Sequence, residues 1–161
     1  MPLTYFFNAS NMPDGLYLLT LLKFGLIGLS GFVAFKNMYR ALSNWLIISL
    51  SSAYALMSFI VNQSEIIMWL DVFIWLPLII CGLHSMMAQG KRRLYYVSLT
   101  LLFIQNYYFG FMMALFLIGY FLVRLSFDGW SWRKTLDFAI TSILEGCTSL
   151  IMILPMYLDS K

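Results

Sequence analysis

Two carboxylates at the start of a long apolar segment are the residues of this sequence best suited to chemistry. Asp71 lies within the apolar run 66–83, flanked by Trp69 and Trp75, and Glu65 immediately precedes that run. An ionisable group in a membrane-length segment is costly, so it marks either a functional site or a paired position in helix packing. Carboxylates at such a boundary could serve as general acid or base, or bind a divalent cation such as Mg²⁺ or Mn²⁺. We therefore take Asp71 and Glu65 as candidate catalytic or metal-binding residues.

Four further side chains could contact a substrate. Lys23 lies in an apolar segment whose lipid surroundings cannot solvate its ammonium, so we expect it to pair with an acid or to contact a substrate phosphate. Asn106 and Tyr107 belong to the polar break of a later apolar stretch. The rings of Trp69 and Tyr107 could stack on a sugar or flank a polyprenyl chain. The alternative for Asp71 is a helix-packing acid neutralised by Lys23 or by a backbone amide.

Spacing limits how the two acids could act together. Glu65 and Asp71 are six residues apart, which is about 9 Å along a helix and about 240° around it. They could meet one ligand only if residues 64–69 are not regular helix. The sequence has no Ser/His/Asp arrangement, no histidine spacing for a metal and no glycine-rich phosphate loop. We interpret both cysteines as packing residues.

Composition assigns the chain to a broad class of protein. Its 161 residues are 61% hydrophobic and 11% charged, with a mean hydropathy of +0.83, whereas an average soluble domain is about 45–50% apolar and about 25% charged. The sequence therefore predicts an integral membrane protein, an all-α polytopic bundle of transmembrane helices. Basic residues that set membrane topology explain the net charge of +3, and nucleic-acid binding is not expected.

Apolar segments and polar breaks predict five to six membrane helices in a single transmembrane domain. After an outer loop over 1–13, we expect helices over 14–36, 41–61, 66–88, 94–105, 108–125 and 136–158. The stretch 94–125 would make about 48 Å of helix, which is too long for one ~30 Å crossing and too short for two complete ones. We therefore predict two short helices there, with a turn at Gln105–Tyr107.

Basic residues predict which loops face the cytoplasm. Lys36 and Arg40 follow the first span, Lys91–Arg93 follow the third, and Arg133 and Lys134 precede the last. The positive-inside bias places all three groups on the cytoplasmic side if the two short helices form a hairpin. The candidate acids and the polar break then share the outer face.

Four segments resemble the bacterial YfhO family of membrane proteins in order and spacing. They are LLKFGLIGLSGF (21–32), IIMWLDVFIWLPLIICGLH (66–84), QNYYFGFMMALFLIGYFL (105–122) and LPMYL (154–158). The most specific features are WLD followed by WLPL, and then NYYFG. The resemblance extends over most of the chain.

This resemblance implies a GT-C-type glycosyltransferase of a bacterial plasma membrane. Such enzymes move a sugar from an undecaprenyl-phosphate carrier to a cell-envelope acceptor, such as teichoic acid, on the outer face. By similarity, Glu65 and Asp71 occupy a position where these enzymes often hold a second acidic element that binds metal or donor. The partners implied are the lipid bilayer, a polyprenyl-phosphate sugar donor and a cell-envelope polymer acceptor.

One departure from the family pattern bears on activity. GT-C enzymes carry their principal catalytic acid in the first outer loop, and in YfhO-like proteins it lies in a motif resembling Gly-Asp-Gly. Nothing before Asp14 matches that motif, and Glu145 stands where a small residue is expected. We therefore expect a fragment that holds part of a donor site and whose remainder is a further partner. The alternatives are a non-catalytic membrane scaffold or subunit, and a transporter of lipid-linked sugars.

Overall fold

A computed structural model of the protein describes residues 12–62, 64, 66–128 and 131–159. The elements within these ranges are all helices. In chain order they are α1 (Met12–Met38), α2 (Asn44–Ala55), α3 (Ser58–Asn62), α4 (Ile67–Gln89), α5 (Arg93–Gln105), α6 (Tyr107–Asp128) and α7 (Trp132–Asp159). The prediction of an all-α fold is confirmed.

Among the described residues, four helical segments are long and apolar enough to cross a membrane. Their mean hydropathy lies between 1.6 and 2.0, and they are Asp14–Met38, Asn44–Asn62, Ile67–Gln89 and Tyr107–Phe127. By contrast, α5 has 13 residues, about 20 Å of helix, so it cannot cross a ~30 Å hydrocarbon core alone. The predicted polytopic membrane fold is confirmed. Of the two helices expected to be short, α5 is short, whereas α6 is long enough to cross a membrane.

The chain divides into two compact units, Met1–Ile74 and Trp75–Lys161. In the first unit, α1 packs along α2, and the start of α4 completes the core. The buried apolar side chains at its centre are Ile27, Ala55, Ile60 and Leu70, with Phe24, Tyr54, Phe73 and Ile74 packed against them. The first unit is thus built around contacts between residues that are distant in sequence, such as Ile27 and Leu70.

Two helices, α2 and α3, replace the single helix expected over 41–61. The Ser43 side chain caps α2 by accepting a hydrogen bond from the Leu46 N–H at 3.4 Å. At the other end, the Met57 N–H donates to the Tyr54 carbonyl at 3.3 Å, a three-residue step that does not continue the α-helical ladder. The span is therefore interrupted by a turn before α3 begins.

Pro77 lies inside α4 and removes one helical hydrogen bond. Because proline has no N–H, the carbonyl four residues earlier, that of Phe73, loses its helical donor. The Tyr54 hydroxyl of α2 donates to this carbonyl at 2.9 Å. A tyrosine from a neighbouring helix thus satisfies a backbone acceptor that lipid would leave unpaired.

Removing the Tyr54 hydroxyl should destabilise the protein through this acceptor. We expect Tyr54→Phe to lower the free energy of unfolding by about 1–3 kcal/mol, because the Phe73 carbonyl becomes a buried unpaired group. The loss should shrink in a Pro77→Ala background, where the alanine N–H restores the helical bond. Thermal unfolding of both single variants and the double variant in detergent measures this coupling. An equal loss in both backgrounds would show that the hydroxyl stabilises something else.

In the second unit, α5 and α6 form a helical hairpin. Only Asn106 separates them, and its backbone is extended (φ −154°, ψ 95°). Tyr95, near the start of α5, and Phe121, late in α6, both pack on the Phe138 ring of α7, with ring centroids 6.2 and 4.2 Å from it. The two helices must therefore run back alongside each other. The turn coincides with the polar break expected from the sequence.

Two glycines in the second unit mark close helix approaches. A Cβ atom on Gly82 of α4 would lie 2.5 Å from the backbone nitrogen of Tyr95 in α5. A Cβ atom on Gly110 of α6 would lie 2.6 Å from the Phe103 ring of α5. Small residues permit this proximity between membrane helices, so both positions exclude a larger side chain unless a neighbour moves.

Candidate functional site

Asp71 is ion-paired with Lys23 in the first unit. The Lys23 Nζ lies 2.6 Å from Asp71 Oδ1 and also donates to the Ile67 carbonyl at 2.9 Å. One cation of α1 thereby holds the start of α4 at two points. The pairing considered as the alternative for Asp71 is present in the structure.

This ion pair largely compensates its own charges. An ammonium and a carboxylate in hydrogen-bond contact offset much of the penalty of holding either one among apolar helices. Lys23 has three N–H donors, and the contacts with Asp71 and Ile67 use two of them. The Lys23 and Asp71 side chains are 13% and 21% exposed, so an anionic group could still reach the pair.

The other predicted acid, Glu65, lies outside the described residues. Trp69 is half-buried on α4, two positions before Asp71. Across the described ranges, no group of three or more His, Cys, Asp or Glu side chains is arranged to hold a metal ion. A divalent-cation site formed by Glu65 and Asp71 therefore stays a prediction.

The glycine-rich face of α1 lies against α2. A Cβ atom on Gly28 would be 3.7 Å from the Ala55 Cβ, and one on Gly31 would be 3.3 Å from the Tyr54 ring. Small residues let membrane helices approach closely. This face is therefore covered by a helix of the same chain.

Asn106 and Tyr107 lie at the hairpin turn of the second unit. The Asn106 side-chain oxygen accepts a hydrogen bond from the Phe109 N–H at 3.3 Å, and the Asn106 N–H donates to the Leu102 carbonyl at 2.8 Å. Asn106 therefore closes α5 and caps α6. Tyr107 is about half exposed and lines a cavity between the helices of this unit.

That cavity, between α5, α6 and α7, has a volume of about 550 Å³, which is in the range of small-molecule sites. Its walls are mainly aromatic and aliphatic, but they include Glu145. This side chain is 2% exposed, and neither of its carboxylate oxygens has a hydrogen-bond partner among the described residues. A buried carboxylate without a donor is costly in apolar surroundings. The cavity is therefore a candidate site of the second unit.

Glu145 is not among the site residues that the sequence analysis predicts, although the sequence contains a signal for it. Phe138, Thr141 and Glu145 are spaced by three and four residues, and all three are buried. They form one stripe of α7. A glutamate is rarely fully buried unless it is paired, so an acid on a buried stripe is a functional candidate, and only the structure shows that this stripe is buried.

Basic residues from the loop before α5 and from the start of α7 meet at the end of the second unit opposite the hairpin turn. A polar cavity of about 480 Å³ there is lined by residues that include Arg92, Arg133, Lys134 and Asp137. Arg92 and Asp137 form an ion pair. The segments that precede α5 and α7 therefore lie at the same end of the second unit.

The family comparison covers the whole chain. The family model described as bacterial membrane protein YfhO matches residues 1–161. No curated protein and no solved structure matches the chain. Inference about function therefore rests on this family match together with the geometry of the two candidate sites.

Proposed function

The chain belongs to the YfhO family of bacterial membrane proteins, and from that membership we propose that it acts in membrane glycosyl transfer. The sugar would come from an undecaprenyl-phosphate-linked donor and pass to a cell-envelope acceptor, such as teichoic acid, on the outer face. The observation that carries the proposal is the family match over residues 1–161. The membrane-length helices support it, because a polyprenyl donor is confined to the bilayer.

Within this proposal, Asp71 is the candidate acid or base and Lys23 is the candidate phosphate contact. Partial exposure of both side chains leaves them within reach of a substrate. A donor phosphate that binds the Lys23 ammonium would compete with Asp71 for it and free the carboxylate to accept a proton from the acceptor hydroxyl. The remaining candidates are Glu65, which with Asp71 would hold any Mg²⁺ or Mn²⁺, and the substrate-binding residues Trp69, Asn106 and Tyr107.

The proposal also orients the chain in the membrane. The basic loops with Lys36 and Arg40, Lys91–Arg93, and Arg133 and Lys134 would face the cytoplasm, following the positive-inside bias. The Asn106 turn lies at the opposite end of the second unit from the loops before α5 and α7. In this orientation the turn faces the cell exterior.

A second candidate function, a non-catalytic membrane scaffold or subunit, is favoured by the Lys23–Asp71 ion pair. The carboxylate is already compensated by an ammonium at 2.6 Å. The glycine face of α1 is likewise occupied by α2. In a scaffold, Asp71 would need only an opposite charge at position 23.

Exchanging the two charges separates these functions. The chain would be expressed at equal membrane abundance in a bacterial strain that lacks this envelope glycosylation, and transfer of a radiolabelled sugar to the envelope measured. If the carboxylate acts as acid or base, Asp71→Asn should lower transfer by about 10²–10⁴-fold. The exchanged pair, Lys23→Asp with Asp71→Lys, should restore packing but leave transfer at the level of Asp71→Asn.

Asp137→Asn is the matched control, because it removes a carboxylate from a different ion pair and should leave transfer near the level of the original chain. Full recovery of transfer in the exchanged pair would assign Asp71 a structural role. Because the sequence lacks the Gly-Asp-Gly-like acid motif, transfer would be measured with and without a co-expressed segment that carries this motif. Absence of sugar transfer in both cases would contradict the glycosyltransferase proposal and favour the scaffold.

A further inference from the structure

The buried acid of the second unit, Glu145, has no hydrogen-bond donor in the part of the chain that the structure describes, and the proposed function gives it no role. Glu145 lines the cavity between α5, α6 and α7, and both of its carboxylate oxygens are without a hydrogen-bond partner among the described residues. A carboxylate in an apolar environment is stabilised most by a cation that also donates hydrogen bonds. A ligand that carries a positive charge and N–H groups would therefore stabilise the Glu145 carboxylate.

Aromatic rings line the same cavity as this acid. Tyr95, Phe103 and Phe111 contribute to its wall, together with Tyr107 and Tyr108 at the hairpin turn. The faces of such rings carry negative electrostatic potential and attract organic cations. Aromatic rings and one carboxylate around a cavity are the combination that suits an ammonium group.

The position of the cavity points to the bilayer as the source of its occupant. Tyr107 and Tyr108 are more than half exposed, and Phe111 and Ile118 are 62% and 46% exposed. All four residues line the cavity, and they lie on a helix that is apolar enough to span a membrane. An amphiphile in the membrane could therefore enter between these side chains with its acyl chain still in lipid.

We propose that the cavity between α5, α6 and α7 binds the primary ammonium group of a membrane lipid, with its N–H groups donating to the Glu145 carboxylate. The aromatic rings surround the ammonium, and the acyl chain lies along Phe111 and Ile118. A quaternary ammonium has no N–H group and leaves both carboxylate oxygens unpaired. The site therefore selects a primary over a quaternary ammonium lipid.

A zero-length crosslink tests the proposal directly. The chain would be reconstituted in phosphatidylcholine vesicles with phosphatidylethanolamine as the primary-amine probe, and treated with a hydrophobic carbodiimide. The reagent activates a carboxyl group, the lipid amine displaces the resulting urea, and an amide forms between Glu145 and the lipid. Mass spectrometry of peptides should show this adduct on Glu145 in roughly tenfold excess over other carboxyl groups, as expected for one charge-assisted hydrogen bond.

Variants of α6 separate binding in the cavity from chance contact with lipid. Ala114→Phe fills the cavity, which Ala114 lines, and retains Glu145. Leu115→Phe adds the same ring at an adjacent position that is 57% exposed. We expect Ala114→Phe to abolish the excess adduct and Leu115→Phe to retain it. Glu145→Gln should remove the adduct, whereas Asp137→Asn should not.

Three outcomes would overturn the proposal. One is an adduct yield on Glu145 no higher than on other carboxyl groups. Another is equal yields from the two α6 variants, which would mean that the lipid reacts without entering the cavity. The third is an equally abundant adduct from free ethanolamine added to phosphatidylcholine vesicles, since a site for a soluble amine would not need the acyl chain. None of these outcomes bears on sugar transfer.

Discussion

Replacing Lys23 with methionine should lower the free energy of unfolding by about 1–3 kcal/mol, less than the ~3–5 kcal/mol for a fully buried ion pair, because the Lys23 and Asp71 side chains are 13% and 21% exposed. Methionine retains much of the length of the side chain but leaves Asp71 without its ammonium, which lies 2.6 Å from the carboxylate in the structure. It also removes the donor to the Ile67 carbonyl. Thermal unfolding in detergent, monitored as the fraction of protein that remains monodisperse, measures the loss of stability.

A double variant distinguishes the effect of losing the ion pair from the effect of leaving the Asp71 carboxylate unpaired. Lys23→Met combined with Asp71→Leu removes both charges, and it should be much more stable than Lys23→Met alone, because no unpaired carboxylate remains. Lys36→Met serves as the control, since the exposed Lys36 contacts only the Phe32 ring in the described contacts, at 5.5 Å; it should change stability by about 1 kcal/mol or less. If Lys23→Met lowers the free energy of unfolding no more than Lys36→Met does, the ion pair does not stabilise the first unit.

Gly82→Ala should destabilise the second unit by about 1–3 kcal/mol or more, the range for overpacking a close contact. The added Cβ would lie 2.5 Å from the nitrogen and 2.7 Å from the Cα of Tyr95. These are backbone atoms, so no side-chain rotation can relieve the clash, and α4 and α5 must move apart. The gain in helix propensity from glycine to alanine, about 1 kcal/mol, offsets part of the loss.

Gly119→Ala is the matched control for this prediction. A Cβ atom on Gly119 of α6 would have no non-local heavy atom within 4 Å, so this change should keep the propensity gain and leave stability unchanged or slightly higher. Unfolding of the two variants would be compared in the same detergent. If Gly82→Ala is as stable as Gly119→Ala, α4 and α5 do not approach each other closely at that position.

Local properties of the chain explain which features were predictable. Long apolar runs indicate membrane helices whatever their neighbours, because lipid cannot satisfy open backbone groups. A polar break in an apolar stretch indicates a turn for the same reason, and α5 ends and α6 begins around Asn106. The turn between α2 and α3 has no polar break to indicate it, because the residues there are apolar and its cause is a local change of hydrogen bonding at Met57.

Contacts between distant residues account for most of what could not be predicted. Pro77 is visible in the sequence, but the Tyr54 hydroxyl that satisfies the Phe73 carbonyl comes from another helix. From the sequence, Lys23 could pair with an acid or contact a substrate phosphate. Its ion pair with Asp71 depends on the rotation of α1 about its axis relative to the start of α4. Hydropathy does not encode that rotation for helices that are apolar on most sides.

The sequence by itself determined that this is an all-α membrane protein of the YfhO family with a helical turn near Asn106, because length, hydropathy and motif order are properties of the linear chain. Tertiary structure alone decided that Asp71 is paired with Lys23, and that Glu145 lies in the wall of an aromatic cavity with no hydrogen-bond donor from the described residues. Both outcomes depend on which helix faces meet. That choice is made by side-chain packing between segments far apart in the chain.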